Sequence, residues 1–92
     1  MNLDLETQIK RNSTVVSSWL DNELVMMDAE EGRYFSLNAT TTRIWELLAE
    51  PRRVNELCQD LMTLYDIDRQ RCEVQVLKVL DDLHRQGLVL VA

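Results

Sequence analysis

The spacing of apolar residues changes once along this 92-residue chain, from an extended pattern to a helical one. Between Thr14 and Leu20, the residues Val15, Val16 and Trp19 are β-branched or aromatic and suit a pleated surface, which predicts a strand. Asp21-Asn22 is a turn signal, because short Asx side chains tolerate left-handed backbone and bond locally. Leu24-Val25-Met26-Met27 then forms a second apolar run. Ala29-Glu30-Glu31-Gly32 gives another turn, with Gly32 suited to a positive φ, and Arg33-Tyr34-Phe35-Ser36-Leu37 makes a third strand. The sum is a three-stranded antiparallel meander over about residues 14–37.

From Asn38 the period is helical. Asn38 is suited to capping a first helix over about residues 39–49, in which Ile44, Trp45, Leu47 and Leu48 recur at helical spacing and Pro51 forbids continuation. Val54, Leu57, Cys58, Leu61, Met62 and Tyr65 form the inward stripe of a second helix, over about residues 54–65. Asp68 caps a third, over about residues 69–86, and Gly87 ends it. On that helix Cys72, Val76, Val79, Leu80 and Leu83 face the core, and Val74 lies nearly opposite. Leu77, about 60° beyond Leu80, widens one edge of the stripe beside Glu73 and His84.

Strands followed by three helices predict an α+β, winged-helix-like domain spanning residues 1–92. The composition agrees with a folded chain, at 46% apolar and 28% charged residues. No apolar run approaches the roughly 20 residues of a membrane span, and the acidic start Met1 to Thr7 lacks a secretory pattern, so a cytoplasmic protein is expected. Winged helices commonly lay a helix in the major groove of DNA. The net charge of −6 argues against that here, because affinity for a phosphate backbone rests on clustered positive charge. The third helix mixes Arg69, Arg71, Lys78 and Arg85 with Glu73, Asp81 and Asp82.

Catalytic chemistry finds no foothold. Cys58, Cys72 and His84 lack metal-ligand spacing, and both cysteines read as small buried hydrophobes. His84 sits where a cation suits a helix C-terminus. Glu30-Glu31 and Asp81-Asp82 fall in a turn and on a polar face, and there is no phosphate loop or nucleophile elbow. A non-enzymatic protein without cofactor or metal is expected. A chain that buries only about 60–65% of its extended surface also has little core to spare for a deep cavity. The last strand of a meander, however, is an edge whose free amides and carbonyls can accept another strand. If the third helix lies beside Arg33 to Leu37, Leu77 and Leu80 would floor a groove for apolar peptide side chains. The same open edge can pair with itself and give a homodimer.

Leu24-Val25-Met26-Met27-Asp28, Gly32-Arg33-Tyr34-Phe35-Ser36-Leu37-Asn38, Arg43-Ile44-Trp45-Glu46-Leu47-Leu48, Val54-Asn55-Glu56-Leu57, Tyr65-Asp66-Ile67-Asp68, Leu80-Asp81-Asp82-Leu83 and Gly87-Leu88-Val89 occur in this order. This ordered set, over about residues 14–90, resembles the PqqD-like family, the leader-recognition elements of ribosomally made, post-translationally modified peptides. The resemblance implies a winged-helix-like adaptor that binds the leader of a precursor peptide as an added strand, with the third helix as the other groove wall. It implies leader contacts at Arg33, Tyr34, Phe35 and Ser36 and at Glu73, Val76, Leu77, Leu80 and Asp81. The free-standing form is more similar to the small proteins of lasso-peptide pathways, which implies a leader peptidase and a macrocyclase as partners. The alternative is a PqqD-type chaperone presenting a precursor to a radical enzyme in pyrroloquinoline quinone synthesis or related peptide modification. Two departures carry expectations. Arg52-Arg53 stands where the family usually has a capping Thr or Ser, so the second helix should fray at its start. Thr40 to Thr42 stand where Gly is frequent, giving a bulkier entry to the first helix.

Overall fold

A computed structural model describes residues 3–92; the first two positions of the expected 1–92 span lie outside the described residues. The elements run β1 (Gln8–Arg11), β2 (Val15–Leu20), β3 (Glu23–Asp28), β4 (Arg33–Ser36), α1 (Ala39–Leu47), β5 (Arg52–Arg53), α2 (Val54–Leu64), α3 (Arg69–Arg85) and β6 (Val89–Val91). The expected meander is β2-β3-β4, antiparallel throughout, with Trp19 opposite Leu24 and Met26 opposite Phe35. Its turns follow from local chemistry. Asp21 takes a left-handed φ of 57°, and the Oδ1 of buried Asp28 accepts the amides of Glu30 and Glu31 at 3.1 and 3.4 Å.

The α+β architecture matches the sequence reading, but the strand count does not. A second sheet, in the order β5-β1-β6, joins the beginning, middle and end of the chain. Ile9 pairs with Arg52 on one side and Val91 on the other, and its side chain is fully buried. Four residues or fewer per strand leave too short a stretch for alternation to show. These strands exist because distant segments pair.

That sheet also overturns the expected fraying of the second helix. The Val54 and Asn55 amides donate to the Thr7 and Leu5 carbonyls at 3.0 and 2.9 Å, and the Arg53 amide donates to Glu56 Oε1 at 2.8 Å. The first-turn donors of α2 are therefore held by the chain leading into β1 and by a carboxylate, in place of a Ser or Thr cap. The other two helices begin as their sequences predict. Asn38 Oδ1 accepts the Thr41 amide at 2.8 Å, and Asp68 Oδ1 accepts the Arg71 amide at 2.9 Å. Helix α1 ends at Leu47, two residues short of expectation. The Arg11 guanidinium stacks 4.6 Å from the Trp45 ring centroid and donates to the Trp45 carbonyl, which also accepts the Leu48 amide at 3.1 Å at the helix end.

One core joins the two sheets to the helices. Leu24 and Met26 of β3, Ile44, Trp45 and Leu48 around α1, Leu57 and Cys58 of α2, and Cys72, Val76, Leu80 and Leu83 of α3 are all buried. Both cysteines are free thiols in this core. No helix among the described residues is long and apolar enough to cross a membrane.

Candidate functional site

Among the described residues strand β4 pairs with β3 alone, so its other side is open. The phase of the β3-β4 ladder fixes which backbone groups face outward. The Leu37 amide donates to the Leu24 carbonyl at 3.2 Å, and antiparallel pairs alternate between bonded and non-bonded. Phe35 opposite Met26 is then a bonded pair, while Tyr34 opposite Met27 and Ser36 opposite Val25 are not. The amides and carbonyls of Tyr34 and Ser36 point away from β3 toward the open edge.

Beyond that edge lies α3, running opposite to β4. At one end the Arg33 Nη2 donates to the Gln86 carbonyl at 3.0 Å, with the guanidinium 5.2 Å from the Phe35 ring centroid. At the other end Thr40 and Thr41 of α1 approach Gln75. Between them is a groove of about 700 Å³. Tyr34, Phe35 and Ser36 line one wall; Gln75, Lys78, Val79, Asp82 and Gln86 line the other. The rise from Gln75 to Gln86 is about 16 Å along a helix, and Arg33 to Asn38 spans about 17 Å in extended chain. The segment 33–38 and the helix flank are thus matched in length, and the groove accommodates about five residues of extended peptide.

The strand candidates all lie at this groove. Tyr34 and Ser36 border its open edge, Phe35 is half-buried, and Arg33 closes one end through Gln86. The helix candidates do not. Val76 and Leu80 are 2% and 0% exposed and belong to the core, although Val76 also lines a separate recess. Glu73, Leu77 and Asp81 do not line the groove: Leu77 packs against the core, Glu73 pairs with Arg69 at 2.7 Å, and Asp81 pairs with Arg85 at 2.8 Å. In place of the expected floor of Leu77 and Leu80, the groove beside β4 is lined by Val79, on the shoulder of the stripe away from Leu77, with the buried Leu83 behind it. Periodicity identifies both shoulders and does not say which one meets β4. The polar positions Gln75, Lys78 and Asp82 gave no signal beyond helical spacing.

At the Thr40 end the groove meets a smaller recess of about 300 Å³, which shares Thr40 and Gln75 with it. Ile44, Leu61, Ile67, Cys72 and Val76 make it largely apolar. Burial pushes up both the Cys72 thiol here and its neighbour Cys58, the latter from 9.0 to about 12, so neither is a ready thiolate. Among the described residues no group of His, Cys, Asp and Glu could hold a metal ion. What this surface offers is main-chain hydrogen bonding beside a mixed polar and apolar helix flank.

Two solved structures share the fold. TbiB1 in complex with the TbiA(beta) leader peptide is 34% identical, covering 87% of this chain and 93% of that one, with a TM-score of 0.80. A lasso peptide synthetase B1 complexed with the leader peptide is 21% identical, covering 89% and 96%, with a TM-score of 0.73, and supports the fold. None of the curated proteins compared matches the chain. Residues 23–89, which carry β3, the open strand β4 and all three helices, match the family described as Coenzyme PQQ synthesis protein D (PqqD), and the chain belongs to that family.

Proposed function

We propose that this protein is a non-catalytic adaptor that binds the leader segment of a ribosomally made precursor peptide by strand addition to β4, and delivers it to the leader peptidase and macrocyclase of a lasso-peptide pathway. The observation that carries the reading is the open β4 edge, with Tyr34 and Ser36 presenting their backbone groups beside a groove that runs the length of segment 33–38. An added strand gains main-chain bonds there, and its alternate side chains meet the α3 flank. The neighbour at 34% identity is itself a leader-peptide complex, which supports leader binding by this chain. DNA binding is disfavoured because the net charge is −6 and two of the four cations of α3 are neutralised within the helix, Arg69 by Glu73 and Arg85 by Asp81 and Asp82.

On this reading the peptide contacts are the main chain of Tyr34 and Ser36, the Phe35 side chain, and Gln75, Lys78, Val79, Asp82 and Gln86 on the helix. The precursor is a ribosomal product, so the adaptor works in the cytoplasm. Self-pairing of two copies through β4 would compete with the peptide. Titrating a synthetic leader of the cognate precursor into isotopically labelled protein tests the proposal. The Tyr34 and Ser36 amides should shift and become protected from exchange; unchanged amides at saturating peptide would overturn it.

A further inference from the structure

The groove's charge is set by which ions already have partners. The segment 69–86 carries three carboxylates, at Glu73, Asp81 and Asp82. Asp81 and Asp82, three and four residues beyond Lys78, are the natural helical partners for its ammonium. Both are occupied by Arg85, whose Nη2 lies 2.8 and 2.9 Å from them. Glu73 is held by Arg69 at 2.7 Å. Lys78 is exposed, lines the groove, and has no ion-pair partner among the described residues. It is also the one cation lining the groove among those residues, since Arg33 at the groove's end is engaged by Gln86 and lies 3.9 Å from Glu31.

An added strand turns every second side chain to the same face, so few of its positions can reach the middle of the helix wall. We infer that the groove selects an acidic side chain, Asp or Glu, at one fixed register of the bound peptide, where it pairs with Lys78. The inference rests on the strand-addition reading above and names the kind of peptide that surface prefers. With a net charge of −6 the protein repels acidic peptides as a whole. A single carboxylate in an otherwise neutral or basic segment therefore fits best, and the lysine acts on register and choice of peptide more than on total affinity. Val79, partly buried beside it, suits an apolar neighbour of that acidic residue.

A library of random 12-residue peptides displayed on phage, selected separately on the wild-type protein and on K78E, K78Q and S36P, reads this out. Lys78 is exposed, so K78Q and K78E should fold, which circular dichroism checks. Wild-type protein should enrich peptides with Asp or Glu at a constant position, K78Q should lose that preference, and K78E should replace it with Lys or Arg. Peptides chosen by the wild type should bind K78Q roughly 2- to 5-fold more weakly, as befits a partly exposed ion pair. Enrichment that S36P abolishes but that shows no acidic position, or is the same for K78E, overturns the Lys78 inference and leaves strand addition standing. Enrichment unaffected by S36P, or none at all, overturns both.

Discussion

Replacing Ser36 with proline separates binding from folding, because besides one outward backbone donor it removes only the exposed Ser36 Oγ contact to Glu23 Oε2 at 3.4 Å. The Ser36 amide belongs to a non-bonded pair of the β3-β4 ladder, so removing it leaves the bonds through Phe35 and Leu37 in place. Proline is tolerated on an edge strand when its missing donor would face solvent, and Phe35 before it is already extended. The folded protein should therefore lose about 1 kcal/mol or less. The bound peptide loses a main-chain bond worth about 1 kcal/mol net, and one of its carbonyls is left facing the ring without a donor, costing about 1–3 kcal/mol more. A total of about 2–4 kcal/mol weakens binding roughly 30- to 1,000-fold. Calorimetric titration with the leader, beside thermal melts of both proteins, measures the two effects. Phe35→Pro is the contrasting variant, because its amide serves the Met26 pairing and its loss should destabilise the fold itself. Wild-type affinity in S36P would refute the assignment of outward groups and, with it, strand addition at this edge.

Three further outcomes follow from the same geometry. Val79→Asp should abolish leader binding, whereas Leu77→Asp, on the other shoulder of α3, should keep it within a few-fold while lowering the melting temperature; titration of both variants with one peptide distinguishes them. Asn38→Ala should cost about 1 kcal/mol by freeing the Thr41 amide and loosen the groove wall where it meets α1, seen as a lower urea midpoint and weaker binding. Burial holds the Cys58 thiol protonated up to about pH 12 in the folded state, against an ordinary value of 9.0, so its contribution to stability is full below about pH 9 and is lost as pH rises toward 12. Urea unfolding from pH 7 to 11 should show that decline and Cys58→Ser a shallower one; at pH 8 a thiol reagent should react with neither cysteine until the protein unfolds.

The sequence by itself determined what depends on neighbours within a few residues. The three helices, the Asn38 and Asp68 caps, the meander and its turns, and the inward stripe of α3 all follow from local propensity and period. So did the open third strand, since the last strand of a meander lacks a local partner. Only tertiary structure decided the rest. Strands β1, β5 and β6 have almost no local signal, and Gln8 meets Arg53 while Arg11 meets Val89 through contacts that close nearly the whole chain. The start of α2, poorly capped by its own residues, is secured by carbonyls of Leu5 and Thr7 some fifty residues earlier. The groove's helix wall turned on the same kind of choice. A helical wheel orders residues about the helix's own axis and carries no reference to neighbouring elements, so it marks two shoulders beside the core stripe without saying which one β4 approaches. Packing placed Val79 and Lys78 there and left Leu77 on the far side.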